Sequence, residues 1–222
     1  MISENLQLIR TTIPENVKLV CVSKFHSEAV ILEAYKSGER IFGENKVQEL
    51  CTKYEHMPDD INWHFIGHLQ TNKVKYLVPF VKLIHGVDSV KLLQEINKQA
   101  SKLNRTVDCL LQVHIATEET KFGFSEVELL QFLQSNSLTD YQHVSIRGLM
   151  GMATFTDNTL QVRSEFRRLK SLFESIRTLR LPYLKEFDEL SMGMSDDYQI
   201  AIEEGSTMVR IGSKIFGQRI YS

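Results

Sequence analysis

Along this chain, short apolar runs of strand length alternate with longer stretches in which apolar residues recur every three or four positions. The run Val17-Lys18-Leu19-Val20-Cys21-Val22-Ser23-Lys24 is apolar and β-branched, the pattern of a strand buried on both faces and closing at Lys24. Residues 3–12 before it fit a short helix, with Ser3 as cap and Leu6 and Ile9 on one face. Residues 27–37 fit a second helix, with Ala29, Val30, Leu32 and Ala34 as core contacts and Gly38 as its stop. A strand over 40–43, a helix from Glu44 to His56 and a strand from Ile61 to Gly67 follow. Next come a helix from about Gln70 to Val78, a strand over 82–87, and a helix capped by Ser89 that carries Leu92, Leu93, Ile96 and Ala100.

The second half keeps the rhythm. Val107 to Val113 is the clearest buried strand, and Ala116 to Gly123 reads as a loop. Ser125 and Glu128 have the spacing of a capping box at a helix start. Val144 to Met150 is a strand, and residues 158–181 form a long helix with Val162, Phe166, Leu169, Phe173 and Ile176 inward. Its Arg163, Arg167, Arg168 and Lys170 read as a solvated face. Phe187 to Met192 is a strand, Ser195 to Glu204 a helix closed by Gly205, and Thr207 to Ile211 the last strand. Eight alternations with short connections and no Pro- or Gly-rich linker predict a single-domain α/β fold over 1–222, a (β/α)₈ TIM barrel. An open dinucleotide-binding sheet would want G-x-G-x-x-G after the first strand, where Lys24-Phe25-His26-Ser27 stands.

Composition narrows the function classes. Hydrophobic residues make up 42% and charged residues 24% of the 222, with a net charge of −2, so there is no basic footprint for nucleic acid and no draw to anionic membrane. Three cysteines without a C-x-x-C pair suit a reducing cytoplasm rather than a disulfide framework. No signal peptide and no apolar run of spanning length is apparent.

Lysine at the end of a buried strand either snorkels its ammonium to water or keeps a partly neutral amine in a dry pocket, ready to attack a carbonyl. In a barrel, Lys24 shares the C-terminal rim with Gly43-Glu44-Asn45, Gly67-His68, Gly148-Leu149-Met150, Ser191 to Ser195 and Arg210 to Ser213. The glycines there permit close backbone approach to a ligand. Ser191, Ser195, Gly212 and Ser213 fall in the loops after strands seven and eight, where barrels often bind phosphate. Taken singly, Ser195 is a helix cap and Gly212 a turn residue; together with Lys24 they point to a phosphate-bearing carbonyl ligand. Asp196 and Asp197 would repel a phosphate and are expected to face solvent. His64 and His68 lie on a strand pattern rather than a helix, so no metal site is expected, and of Asp188 and Glu189 at most one points inward.

Val22-Ser23-Lys24, Phe42-Gly43-Glu44-Asn45-Lys46-Val47-Gln48-Glu49 and Trp63-His64-Phe65-Ile66-Gly67-His68-Leu69-Gln70-Thr71-Asn72-Lys73 resemble signature blocks of the pyridoxal phosphate homeostasis proteins (the YggS/PROSC family). So do Gly148-Leu149-Met150, Leu190-Ser191-Met192-Gly193-Met194-Ser195 and Val209-Arg210-Ile211-Gly212-Ser213-Lys214-Ile215-Phe216-Gly217. The resemblance implies the barrel of the alanine racemase N-terminal domain (fold type III), with pyridoxal 5′-phosphate (PLP) covalently on Lys24 as a Schiff base. It implies that Ser191, Ser195, Gly212 and Ser213 hold the phosphate, that Arg210 lies near the pyridine nitrogen, and that Asn45, His68, Met150, Met194 and Ile211 line the cofactor.

Racemases of this fold act with a β-rich second domain and an opposing catalytic tyrosine, for which no segment follows the eighth strand before Ser222. The expectation is therefore a cytoplasmic, monomeric protein that stores, carries or buffers PLP for apoenzymes, rather than an efficient catalyst. A single-domain PLP-dependent amino-acid racemase is the alternative. An aldolase or phosphosugar isomerase, which would use the lysine with the substrate's own phosphate, is a third.

Overall fold

Eight parallel strands hydrogen-bond in chain order and close when the last pairs with the first. The structure, a computed structural model, describes residues 1–117, 122–135 and 139–217. The strands are β1 (Lys18–Val22), β2 (Ile41–Glu44), β3 (Asn62–Phe65), β4 (Leu83–Val87), β5 (Val107–Gln112), β6 (Val144–Met150), β7 (Glu189–Ser191) and β8 (Met208–Ile211). Between and around them run α1 (Ile2–Arg10), α2 (Glu28–Lys36), α3 (Val47–His56), α4 (Val74–Leu77), α5 (Val90–Lys102), α6 (Glu126–Gln134), α7 (Thr159–Thr178), α8 (Tyr198–Glu203) and α9 (Ser213–Phe216). Residues 118–121 of the expected 116–123 loop lie outside the described residues.

Side chains alternate across each strand, so the barrel has two cores. Val20, Leu83, Leu110, Met150 and Met208 fill the interior. Leu19, Cys21, Phe42, Trp63, Phe65, Ile84 and Val209 point the other way, into the layer under the helices. That two-sided burial is why the strands read as continuous apolar runs. The helix α7 buries every residue expected of it, Val162, Phe166, Leu169, Phe173 and Ile176. Its basic face is tied down as well as solvated: Arg163 and Arg167 pair with Glu204, and Arg168 with Glu126.

Several boundaries move, each for a local reason. Ser3 lies inside α1, whose first residue is Ile2, and does not cap it. In α2 the buried residues are Ile31 and Ala34, while Ala29 is exposed. Glu44 ends β2 instead of opening α3, because its carboxylate is buried beside α3 and not at a helix N-terminus. The expected capping box is present: Ser125 Oγ accepts from the Glu128 N–H at 3.2 Å and Glu128 Oε2 accepts from the Ser125 N–H at 2.9 Å. Ser125→Ala is expected to lower stability by about 1 kcal/mol, the usual worth of such a cap. Urea unfolding checks it; an unchanged midpoint would mean that α6 frays without cost.

The rim glycines serve the barrel more than a ligand. Gly148 has φ +155°, and a Cβ there would sit on the Glu189 carbonyl oxygen and 2.7 Å from its carbon, on the neighbouring strand. At Gly67 a Cβ would lie 2.8 Å from Asn45 Cα, so the chains leaving β2 and β3 touch backbone to backbone.

Candidate functional site

The C-terminal strand ends open onto a cleft of about 490 Å³. It is lined by Lys24 and His26 after β1, Asn45 after β2, Gly67 and His68 after β3, Gln112 on β5, and Met152 and Phe155 after β6. Met194, Ser195 and Asp196 after β7, Arg210 on β8, and Gly212 and Ser213 beyond it complete the wall. Of the residues expected from sequence, Lys24, Asn45, His68, Met194, Ser195, Arg210, Gly212 and Ser213 share this space. Met150, Ser191 and Ile211 do not line it. Met150 packs in the barrel interior and Ile211 in the layer under the helices. Ser191 is buried below the cleft floor, its hydroxyl 2.5 Å from Arg210 Nη1 and 3.0 Å from His85 Nδ1. The expectation that Ser191 touches phosphate thus gives way to a supporting role beneath Arg210. The cause is the two-residue period of β7, which turns Ser191 inward one layer down.

Strand β1 stops at Val22, two residues earlier than the apolar run suggests. His26 N–H then bonds back to the Ser23 carbonyl at 3.1 Å, and Phe25 takes φ +67°, so Lys24 sits on a turn. The alternation nevertheless persists: Val22 and Lys24 line the cleft, while the Ser23 hydroxyl points away and donates to Glu44 Oε1 at 2.6 Å. Behind the turn lies a polar cluster that the sequence reading missed. Lys53 Nζ donates to the Ser23 carbonyl at 2.9 Å and to Glu44 and Glu49 at 2.7 Å each. Burial pushes the Glu44 carboxyl up against the opposing pull of Lys53 and Ser23, and its Oε2 has no hydrogen-bond partner. The available signal was the i, i+4 pair Glu49 and Lys53, on the helix that follows a strand-ending Glu44.

On the far wall, Ser195 Oγ accepts from the Gly212 N–H at 3.3 Å, which brings two hydroxyls (Ser195 and Ser213) and a loop amide to one corner. Neutral donors of this kind suit a phosphate. Asp197 does not face solvent as expected. It is half-buried, accepts from the Met194 N–H at 2.6 Å, and is held up by burial against the attraction of Arg210. Asp196 is exposed at the mouth. Arg210 also donates to the Gly151 carbonyl at 3.1 Å, and burial lowers its guanidinium to about 10, so it remains a cation and a donor near neutrality. His68 bonds Asp88 at 2.9 Å and stacks on Phe122 with centroids 4.1 Å apart. Asn45 lines the cleft with its side-chain oxygen buried and without a donor.

Beneath Arg210 a column runs down the barrel axis, from Ser191 to His85 and then to His64, whose Nδ1 is 3.0 Å from His85 Nε2. Burial drives His64 down to about 3 from 6.5 and His85 well down too. His64 thus partners His85 on the neighbouring strand, while His68, four residues on, bonds Asp88. The His64 and His85 rings are both stored neutral. The unfolded chain takes up their protons near pH 6.5. The stability they contribute is therefore complete above that pH and is lost as pH falls toward about 3. His64→Leu is expected to flatten the pH dependence of the unfolding free energy by about 1.4 kcal/mol per pH unit across that window. Urea titrations at a series of pH values measure this, and an unaltered slope would mean that His64 is already charged in the fold.

At the opposite mouth Glu189 turns inward and pairs with Lys18, while Asp188 stays outside with Arg147. Only one of the two carboxylates points inward, as the alternation requires. No helix among the described residues is long and apolar enough to cross a membrane.

The family model for the alanine racemase N-terminal domain matches residues 1–220. A pyridoxal phosphate homeostasis protein of Aquifex aeolicus is 45% identical over 205 residues, covering 92% of this chain and 88% of the relative. Another, from Schizosaccharomyces pombe, is 38% identical over 223 residues, covering 96% and 91%. Among solved structures, PipY of Synechococcus elongatus with PLP bound superposes at a TM-score of 0.88 with 35% identity, covering 98% of this chain and all of that one.

Proposed function

Because this chain belongs to the alanine racemase N-terminal domain family and, within it, to the pyridoxal phosphate homeostasis proteins, we propose that it binds PLP in the cleft and helps to maintain the intracellular supply of that cofactor. The observation that carries the reading is the convergence of Lys24, Arg210 and the Ser195–Gly212–Ser213 corner on one cleft. The residues fit the group. The Ser195 and Ser213 hydroxyls offer donors to a phosphate, with the Gly212 N–H holding Ser195 Oγ in place, and Arg210 offers N–H to a ring nitrogen. Asn45 lines the same cleft, and its buried side-chain oxygen lacks a donor. PLP would bring a reactive aldehyde, the kind of group that the Lys24 amine at the cleft wall would be placed to hold.

Arg210, a donor that cannot accept a proton, would offer only N–H to the pyridine nitrogen, which would make the ring a poorer electron sink than a carboxylate partner would. The homeostasis relatives support this reading and not a single-domain racemase. We further infer that residues 1–222 act as one PLP-binding domain, as a cytoplasmic monomer that releases PLP to apoenzymes. The three free cysteines, Cys21, Cys51 and Cys109, support a reducing compartment.

The test is direct. Protein incubated with PLP, reduced with borohydride and digested should carry the cofactor's mass on the Lys24 peptide. Failure to take up PLP, or a mark on another lysine, overturns the reading.

A further inference from the structure

We propose that Glu49 and Lys53 of α3, with Glu44 at the end of β2, are positioning residues that hold the Lys24 turn from behind, an inference that rests on the Lys24–PLP reading above. The two peptide groups flanking Lys24 are each held by this cluster. On one side the Ser23 carbonyl accepts from Lys53 Nζ at 2.9 Å, and on the other the Phe25 N–H donates to Glu49 Oε1 at 2.7 Å. One i, i+4 pair on one helix therefore grips the backbone both before and after the reactive residue. The Lys53 ammonium uses all three of its N–H bonds, on Ser23, Glu44 and Glu49. Glu44 in turn fixes Ser23 through its hydroxyl.

Stability alone is a poor reason for such a cluster. Lys53 and Glu44 are both buried, and a buried ion pair is often no more stabilising than packed apolar side chains of the same size. What the ions add is directional: each bond ends on a specified backbone or side-chain atom of the turn. The turn needs that restraint, because Phe25 is a non-glycine residue at φ +67°, a conformation disfavoured for a residue with a Cβ. With the backbone clamped on the α3 side, the Lys24 side chain leaves the turn on the cleft side. Condensation joins the amine nitrogen to the aldehyde carbon and expels water. Its yield depends on the amine being kept within reach of wherever the Ser195–Gly212–Ser213 corner seats the ligand.

Glu49 is the part of the cluster that is partly exposed, so its replacement leaves the buried Glu44–Lys53 pair intact. Three measurements on wild type, Glu49→Ala and Glu49→Gln test the proposal. Glu49→Ala should lower the fraction of Lys24 trapped by borohydride at subsaturating PLP by about tenfold, and Glu49→Gln, which keeps the acceptor for Phe25, should restore most of it. Affinity for pyridoxine 5′-phosphate, which has no aldehyde, should stay within about twofold in both variants, since the phosphate corner is untouched. The Phe25 amide should exchange its hydrogen slowly in ligand-free wild type and faster in Glu49→Ala. Wild-type loading by Glu49→Ala, an equal loss of pyridoxine 5′-phosphate binding, or a fast-exchanging Phe25 amide in the wild type each overturns the proposal. A wild type that forms no Lys24 adduct while its Phe25 amide is protected overturns the PLP reading beneath it, and the positioning role falls with it.

Discussion

Lys24→Ala should form no borohydride-fixed adduct and should hold PLP at least about a hundredfold more weakly than the wild type, a loss of about 2.7 kcal/mol. The size follows from what is removed and what remains. Among the described residues that line the cleft, Lys24 carries the one amine, and on the proposed reading its loss would replace a reversible bond with ordinary contact. Ser195, Ser213, the Gly212 amide and Arg210 are untouched, so binding should persist at high PLP concentration and should match the wild type for pyridoxine 5′-phosphate. Equilibrium dialysis with both ligands separates the two contributions. Equal affinity of Lys24→Ala and wild type for PLP would show that the cofactor is held without the lysine. A parallel collapse for both ligands would show that Lys24 supports the cleft itself.

Gly148→Ala is expected to destabilise the fold by more than about 4 kcal/mol, beyond the range of most single substitutions and enough to leave little folded protein. Two costs add. A Cβ would be driven into the Glu189 carbonyl on β7, where backbone and not a flexible side chain must give way, and the residue would keep φ +155°. The closest comparison is Gly38→Ala, at φ +102° with nothing within 4 Å of the new Cβ, which should cost only about 1 kcal/mol of backbone strain. Urea unfolding of both variants measures the difference, which is the price of contact alone. Similar values would mean that β6 and β7 can separate without loss.

Much of this molecule could be read from its residues because the signals were periodic. Apolar runs near Val20, Leu110 and Val209 marked strands buried on two faces, and the spacing of Phe166, Leu169 and Phe173 marked the inward stripe of α7. The rim positions of Lys24, Ser195, Arg210 and Gly212 followed from strand ends. What stayed hidden depended on which way a side chain turns once the strands are staggered. Ser191 looked like a partner of Ser195 but points down the axis to His85. Glu44 looked like the first residue of a helix and is a buried acceptor at a strand end. Gly148 looked like an opening for a ligand and is a contact between neighbouring strands. Asp197 looked solvated because a carboxylate would repel a phosphate, yet it closes the turn at Met194. For Ser191, Glu44 and Gly148 the missing information was a partner distant in sequence.

The closure of the barrel sets an order of events. Lys18 to Cys21 pair with Met208 to Ile211, so the wall that carries Lys24 and the wall that carries Arg210, Gly212 and Ser213 come from opposite ends of the chain. A chain emerging from the ribosome has its lysine in water long before the partner strand exists. Capture of an aldehyde in this cleft must wait for the last strand, so the yellow colour of a loaded protein would be a timer, appearing only after the barrel has shut.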